Sequence, residues 1–423
     1  MSGVDGGSGQ VQSNSTSSIR RLAVLERCLL GGLKAPPAHA TAVVGEPSSQ
    51  VAAAAQTPPL ASAAAVGSAG LASPPTRTGD AELPAAAPWR FKNVSIHTVE
   101  HLDAPMAADA APGLAAKLAG LRPDALQQVT GIQQHRMWPP GTMAVQAASW
   151  AAHKAVDASG IPPSRIGVIC NTSVYRDFLE PGTAVCVQQQ LGLPASCINL
   201  DVTNAGVGML DGVLVVAGMI EAGTVDYGLV VDAEPVKDLQ VATIRRLRRW
   251  STSAADLRAE LSTLTLGCGA AALLLCRSDL APAGRNHRLT GAVARAAPQY
   301  CELCHASADK MMPDARGLLV HGGQLFLQTW QVAQEVFGWT ASNIDVAVPH
   351  QVSKKVHAQG MQVTGLPADK VVSTYPMRDN VASASLGIAL SVAQQEGRLQ
   401  PGMRVALLAI GSGINCIMAE VVW

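Results

Sequence analysis

Aromatic side chains are scarce in this chain of 423 residues: seven Trp, four Tyr and four Phe, 4% of the whole. None falls before Trp89. The stretch ahead of it is built of Ala, Ser, Gly and Pro, as in Val51-Ala-Ala-Ala-Ala and Ala72-Ser-Pro-Pro. Such a composition cannot bury enough apolar surface to offset the entropy of ordering a backbone, so residues 1–88 are expected to form a disordered extension. An excess of one charge is also lacking, with 31 Lys+Arg against 31 Asp+Glu. Nucleic-acid affinity rests on surplus cations that neutralise phosphates, so no nucleic-acid partner is expected. No apolar run reaches the ~18–20 residues of a membrane helix. The longest, Val207 to Ala222, is broken by Asp211 and Glu221. Nine cysteines, odd in number and scattered, fit a reducing compartment rather than a disulfide framework. A cytoplasmic location is therefore expected. The Ser-rich, acid-poor start, with Arg20, Arg21 and Arg27 between Ile19 and Leu33, leaves import into an organelle open.

What is present, from Trp89 on, is alternation. Short β-branched runs such as Arg165-Ile-Gly-Val-Ile-Cys-Asn, Cys197-Ile-Asn-Leu-Asp-Val, Asp226-Tyr-Gly-Leu-Val-Val-Asp and Ala270-Ala-Ala-Leu-Leu-Leu-Cys read as buried strands. Val207 to Ala222 reads as a helix. The plan then recurs: a helix over Gln324 to Gly338, a strand over Ile344 to Pro349, a helix over Ala382 to Gln395, and strands at Arg404 to Ile410 and Asn415 to Trp423. The pattern predicts an α/β fold in two similar halves, 89–280 and 281–423.

His350 closes a strand in Val348-Pro-His-Gln-Val-Ser, and ligands of open α/β sheets gather at the carboxyl ends of strands. A lone histidine is more often structural. Asn380, just ahead of a helix, reads equally as an N-cap. Asp201-Val-Thr-Asn-Ala-Gly-Val-Gly joins a strand to a long apolar helix, a turn where a nucleophilic thiol would face the positive end of the helix dipole. Here that turn carries glycine.

Six segments, in this order, resemble the thiolase superfamily, in particular ketoacyl synthase III and its OleA-type members: Thr130-Gly-Ile…Arg136, Asn171-Thr-Ser-Val-Tyr-Arg-Asp-Phe-Leu-Glu-Pro, Asp201-Val-Thr-Asn-Ala, Leu264-Thr-Leu-Gly-Cys-Gly-Ala-Ala-Ala, Pro349-His-Gln-Val-Ser, and Gly411-Ser-Gly-Ile-Asn-Cys-Ile-Met-Ala-Glu-Val-Val-Trp. The resemblance implies a five-layer αβαβα fold and a homodimer. It also implies Claisen condensation of acyl thioesters, with fatty acyl-CoA as substrate, an acyl carrier protein as alternative donor, and neither cofactor nor metal. His350 and Asn380 match the pair that polarises the thioester oxygen, an electrostatic stabilisation of the enolate. Glu180 matches a base that reaches across the dimer. The backbone N–H groups of Gly206 and Ser412 match the oxyanion hole. A base at Glu180 favours condensation of two acyl-CoA molecules, because a decarboxylating reaction makes its carbanion without one.

The departure lies at Gly206, which aligns with the family's nucleophilic cysteine; without a side chain no acyl-enzyme forms there. Cys186, Cys268 and Cys416 read as core or motif residues rather than substitutes. Two readings follow: a 3-oxoacyl synthase III-like acyltransferase whose covalent step is compromised, or an inactive acyl-CoA-binding homologue that partners an active enzyme. Decarboxylation of a malonyl thioester on His350 and Asn380 alone is a third. A cysteine restored at position 206 is expected to be tolerated provided the residue does not need a positive φ. Two features stand apart. Cys301-Glu-Leu-Cys304-His305 has the haem-attachment spacing, but reads chiefly as a loop. Arg245, Arg248 and Arg249, in Ile244-Arg-Arg-Leu-Arg-Arg-Trp, suit the phosphates of coenzyme A as well as a solvated helix face.

Overall fold

The computed structural model describes residues 88–107, 125–248 and 253–423; the expected disordered extension and Arg249 lie outside them. Nine strands carry the architecture: β1 Val94–Asp103, β2 Val168–Asn171, β3 Ile198–Asp201, β4 Tyr227–Glu234, β5 Gly269–Arg277, β6 His287–Ala296, β7 Val346–Pro349, β8 Arg404–Gly411 and β9 Asn415–Val422. With the short strand Trp89–Arg90 on β6, they form one sheet in the order β7-β8-β9-β6-β1-β5-β4-β2-β3. Eight helices matter below: α1 Ala144–Ser159, α2 Thr183–Leu191, α3 Gly208–Glu221, α4 Lys237–Leu247, α5 Ala254–Leu264, α6 Ala315–Phe337, α7 Lys354–Thr364 and α8 Ala384–Gln395.

The strand order repeats. In chain order, the first five strands lie 1-5-4-2-3 across the sheet. β6, β7, the bridge residue Val371, β8 and β9 do the same, since Val371 pairs in parallel with Ala347. Directions repeat too: β2 and β4 are parallel, as are β7 and β8, whereas the fifth strand of each set runs antiparallel to its neighbours. The two sets meet where β1 pairs antiparallel with β6.

The layers follow from alternation. On β5, Ala271, Leu273 and Leu275 face one core and Ala270, Ala272, Leu274 and Cys276 another. Both faces of the strand are apolar, as a sheet covered on both sides requires. α3 and α8 form the middle layer, packed between the two strand sets in a core that takes Val230 from β4 and Val348 from β7. α1 and α2 cover the outer face of the first set, and α6 that of the second. The result is the five-layer αβαβα arrangement. Among the described residues no helix is long and apolar enough to cross a membrane.

Two differences from the sequence reading have physical causes. β1 and β6, the central strands, carry no apolar run. β1 buries His97 and His101 instead, each satisfied by a hydroxyl at 2.8 Å, Thr98 Oγ1 and Ser391 Oγ respectively. α6 begins at Ala315, well before Gln324. Asp314 caps it by accepting from the N–H groups of Arg316 and Gly317, and the helix runs on through Gly322 and Gly323.

Candidate active site

The N-termini of the two central helices converge, and the candidate residues sit just ahead of them: Gly206 before α3, Asn380 before α8. β7 delivers His350 at its carboxyl end, held by its own N–H to Leu408 O on β8 at 2.8 Å. Asn380 is pinned by N–H to Thr265 O (3.1 Å) and by accepting from Gly267 N (2.8 Å). Three non-glycine residues among those described have positive φ: Ala205 (+44°), Asp379 (+59°) and Ala382 (+40°). All flank Gly206 or Asn380, so the left-handed backbone strain of the described residues is concentrated at this site. Beneath Asn380, His135 Nδ1 meets Asp379 Oδ2 at 2.6 Å with both side chains buried. Burial opposes the imidazolium, but the Asp379 carboxylate outweighs it and raises the His135 pKa.

His350 contacts Ile410 O through Nδ1 at 2.6 Å and Asn380 Oδ1 through Nε2 at 3.3 Å. Ala382 N–H donates to the same Asn380 oxygen at 3.0 Å, which marks that atom as an acceptor. Both ring nitrogens therefore face acceptors, and a neutral ring donates to only one. The shorter contact assigns the proton to Nδ1. Burial pushes the His350 pKa below its ordinary value, against the Ile410 and Asn380 oxygens, which favour the doubly protonated ring. In this arrangement Nε2 offers a lone pair.

Gly206 does not adopt the left-handed conformation, so the backbone condition for a side chain is met. The space is not. A Cβ built at Gly206 would collide with Cε1 and Nδ1 of the His350 ring and lie 2.6 Å from Ile410 O. The imidazole occupies the place of the missing side chain. The Gly411-Ser412-Gly413 loop closes against the same turn, and a Cβ on Gly411 would stand 2.8 Å from Gly206 N. A chain of side chains fastens the two: Asn415 Nδ2 donates to Asn204 Oδ1 (3.0 Å), and Asn204 Nδ2 donates to the Asp211 carboxylate (2.8 Å).

Gly206, His350, Asn380 and Ser412 line one cavity of about 980 Å³. Its cations are Arg176, Arg316, Lys354 and Lys355. Arg245 and Arg248 are exposed on or beside α4 and are not among the lining residues. Glu180 is exposed as well, outside the cavity lining of its own chain. The Cys301–His305 motif comes apart: Cys301 is exposed, the His305 imidazole bonds Glu302 at 2.8 Å, and Cys304 lines the cavity. Among the described residues no three His, Cys, Asp or Glu side chains are grouped to hold a metal. The sequence reading also missed two buried carboxylates on β4, Asp232 and Glu234, of which Glu234 reaches the cavity wall. Ser383 Oγ lies 2.6 Å from Asp232 Oδ2 and 2.9 Å from Glu234 Oε1. One hydroxyl proton cannot serve both, so one carboxyl is protonated.

Residues 335–423 match the family model of the 3-oxoacyl-[acyl-carrier-protein] synthase III C terminal. An acyl-CoA:acyl-CoA alkyltransferase of Xanthomonas campestris is 39% identical over 339 residues, 79% of this chain and 99% of that protein. One from Shewanella oneidensis is 33% identical over 308 residues, 70% of this chain and 88% of that one. The OleA of X. campestris, solved with bound lauric acid and lauroyl-CoA, superposes with a TM-score of 0.75 at 39% identity, covering 79% of this chain and 100% of its own. Crystal structures of that OleA include substitutions of a glutamate, a cysteine and a histidine, in that chain order. With this identity, the same fold and the same span, the chain belongs to the thiolase-like 3-oxoacyl synthase III superfamily, with OleA among its relatives, and is an acyltransferase of the kind that condenses acyl thioesters.

Proposed function

We propose that the chain binds a fatty acyl-CoA with its thioester beside His350 and Asn380 and that Gly206 rules out an acyl-enzyme at that position. The observation that carries this is the cavity of about 980 Å³ whose lining includes Gly206, His350 and Asn380. Spacing supports the assignment of Gly206. In the X. campestris OleA, the interval from the substituted glutamate to the substituted cysteine equals that from Glu180 to Gly206, residue for residue. Glu180 then serves as the base in a homodimer, each protomer extending it to the other's cavity; its exposure in the single chain suits that role. Acyl-CoA is preferred over an acyl carrier protein because Glu180 supplies the base that a non-decarboxylating condensation needs. The eight cysteines among the described residues are free thiols, which suits the cytoplasm. The inactive-binder reading draws on one specific observation, the His350 ring standing where the nucleophile would be.

Titration calorimetry with lauroyl-CoA and with coenzyme A alone tests the proposal. Each buried methylene is worth about 0.8 kcal/mol, so the acyl chain is expected to tighten binding well over tenfold. Equal affinities would sink the acyl-thioester reading. Formation of a condensed product would favour the enzyme over the binder.

A further inference from the structure

The residue ahead of Asn380 is both strained and buried. Asp379, which follows the short helix Tyr375–Arg378, has φ +59° and ψ −165°. That lies at the edge of a region that glycine alone ordinarily occupies, and another residue stays there only where its surroundings over-determine it. Here they do, and most of them are remote in sequence. His135 sets Nδ1 2.6 Å from Asp379 Oδ2, Arg136 N–H donates to the same oxygen at 3.4 Å, and Asp379 N–H donates to Tyr375 O at 2.9 Å. On its other side the His135 ring meets α4, with Nε2 3.2 Å from Gln240 Oε1. Gln240 Nε2 donates to the carbonyls of Thr263 and Leu266, which marks its oxygen as an acceptor. Both ring nitrogens of His135 therefore face acceptors. Unlike His350, whose ring faces neutral oxygens, His135 faces a carboxylate, so the ring carries both protons and the contact is a buried ion pair.

Asn380 comes directly after this pin. Its Oδ1 accepts from Ala382 N–H at 3.0 Å, so Nδ2 remains as the donor it can offer to the cavity it lines. From this geometry we infer that the His135–Asp379 pair is a positioning device for Asn380: it holds Asp379 in the glycine-like conformation and so fixes the direction from which Nδ2 meets a thioester oxygen. The inference rests on the proposed placement of the thioester beside Asn380. A donor aimed before the substrate arrives needs no reorganisation when charge develops on the oxygen. Glycine at position 379 would adopt the same backbone angles without strain, but it would leave the chain free to adopt others. A carboxylate tied to His135 keeps the one direction.

The test compares lauroyl-CoA with S-dodecyl-CoA, the thioether that lacks the carbonyl oxygen, by titration calorimetry on the full chain. The ratio of the two affinities reads the hydrogen bond to that oxygen. Asn380→Ala is expected to lower the ratio by about threefold or more, as the loss of one net hydrogen bond does. Asp379→Gly should lower it to the same extent with S-dodecyl-CoA affinity kept. On the Asn380→Ala background, Asp379→Gly should lower the ratio no further, because the pair acts through Asn380. A ratio unmoved by Asp379→Gly, or moved equally with and without the Asn380 side chain, would overturn the inference and leave the proposed function standing. A parent chain that binds lauroyl-CoA no better than coenzyme A would overturn both. Should Asp379→Gly fold poorly, His135→Leu withdraws the contact from the other side and must lower the same ratio.

Discussion

A methyl group at position 206 meets the His350 imidazole and, at 2.6 Å, the carbonyl oxygen of Ile410. The ring can turn away, but the carbonyl belongs to β8 and cannot. Gly206→Ala is therefore expected to destabilise the chain by about 1–3 kcal/mol, the usual range for overpacking a closed site, measured as a shift of the denaturant midpoint. His350→Ala combined with it should recover part of that loss, since the two residues compete for one volume. A neutral Gly206→Ala would show that the imidazole does not fill this space. The same clash bears on Gly206→Cys: the thiol enters only if His350 leaves its contacts with Ile410 and Asn380. Gly206, His350 and Asn380, which line one cavity, were picked out from the sequence because each lies in a short motif that resembles the family's. Cys304 was not, because its motif suggests haem attachment and nothing local shows that the Cys304–Ala306 strand borders the cavity.

At the scale of elements, β4 places Asp232 and Glu234 two residues apart, against the N-cap residue Ser383 of α8. Burial raises the Asp232 pKa to about 7, against hydrogen bonds from Ser383 and Thr172. The folded value thus exceeds the ordinary carboxylate value. The unfolded chain releases this proton first, so the stability contributed by protonated Asp232 is whole below pH ~4 and is lost as pH rises to about 7. Asp232→Asn holds a neutral side chain throughout. Its stability relative to the parent is expected to climb by up to about 1.4 kcal/mol per pH unit across that window, then level off. Urea unfolding of both proteins from pH 4.5 to 8 measures this; parallel curves would show that Asp232 is ionised in the fold. The central strand β1, with its buried histidines, explains why element reading from sequence was incomplete. Hydrogen bonds to hydroxyls on α8 make buried polar positions tolerable, and those partners are remote in sequence, as Ser391 is from His101.

At the scale of the molecule, an edge strand stands open among the described residues. β3 ends the sheet, and its Ile198 is exposed. Asp201 on the same strand caps α2, accepting from Thr183 and Ala184 N–H at 2.7 and 2.8 Å, which holds the segment after Glu180 beside that edge. Phe178 and Leu179, just ahead of Glu180, are 47% and 94% exposed. An unpaired edge flanked by exposed apolar side chains is what a second copy would cover. Leu179→Arg is expected to weaken self-association at least tenfold, read by analytical ultracentrifugation, and to lower condensation with it if Glu180 acts across the interface. An unchanged monomer–dimer equilibrium would remove this face from consideration.

The sequence by itself determined the alternating α/β plan and the repeat of that plan, because periodicity is a local property of a chain, and its motifs singled out Gly206, His350 and Asn380 through their resemblance to a family. Only the tertiary structure decided which groups share a cavity. It brought Cys304 and Glu234 to the wall that holds His350 and left Glu180 facing outward. It also set the His350 ring in the space that Gly206 leaves empty. These placements depend on where β8, β4 and the Gly411-Ser412-Gly413 loop cross in space, and close packing between residues far apart in sequence leaves no periodic trace along the chain.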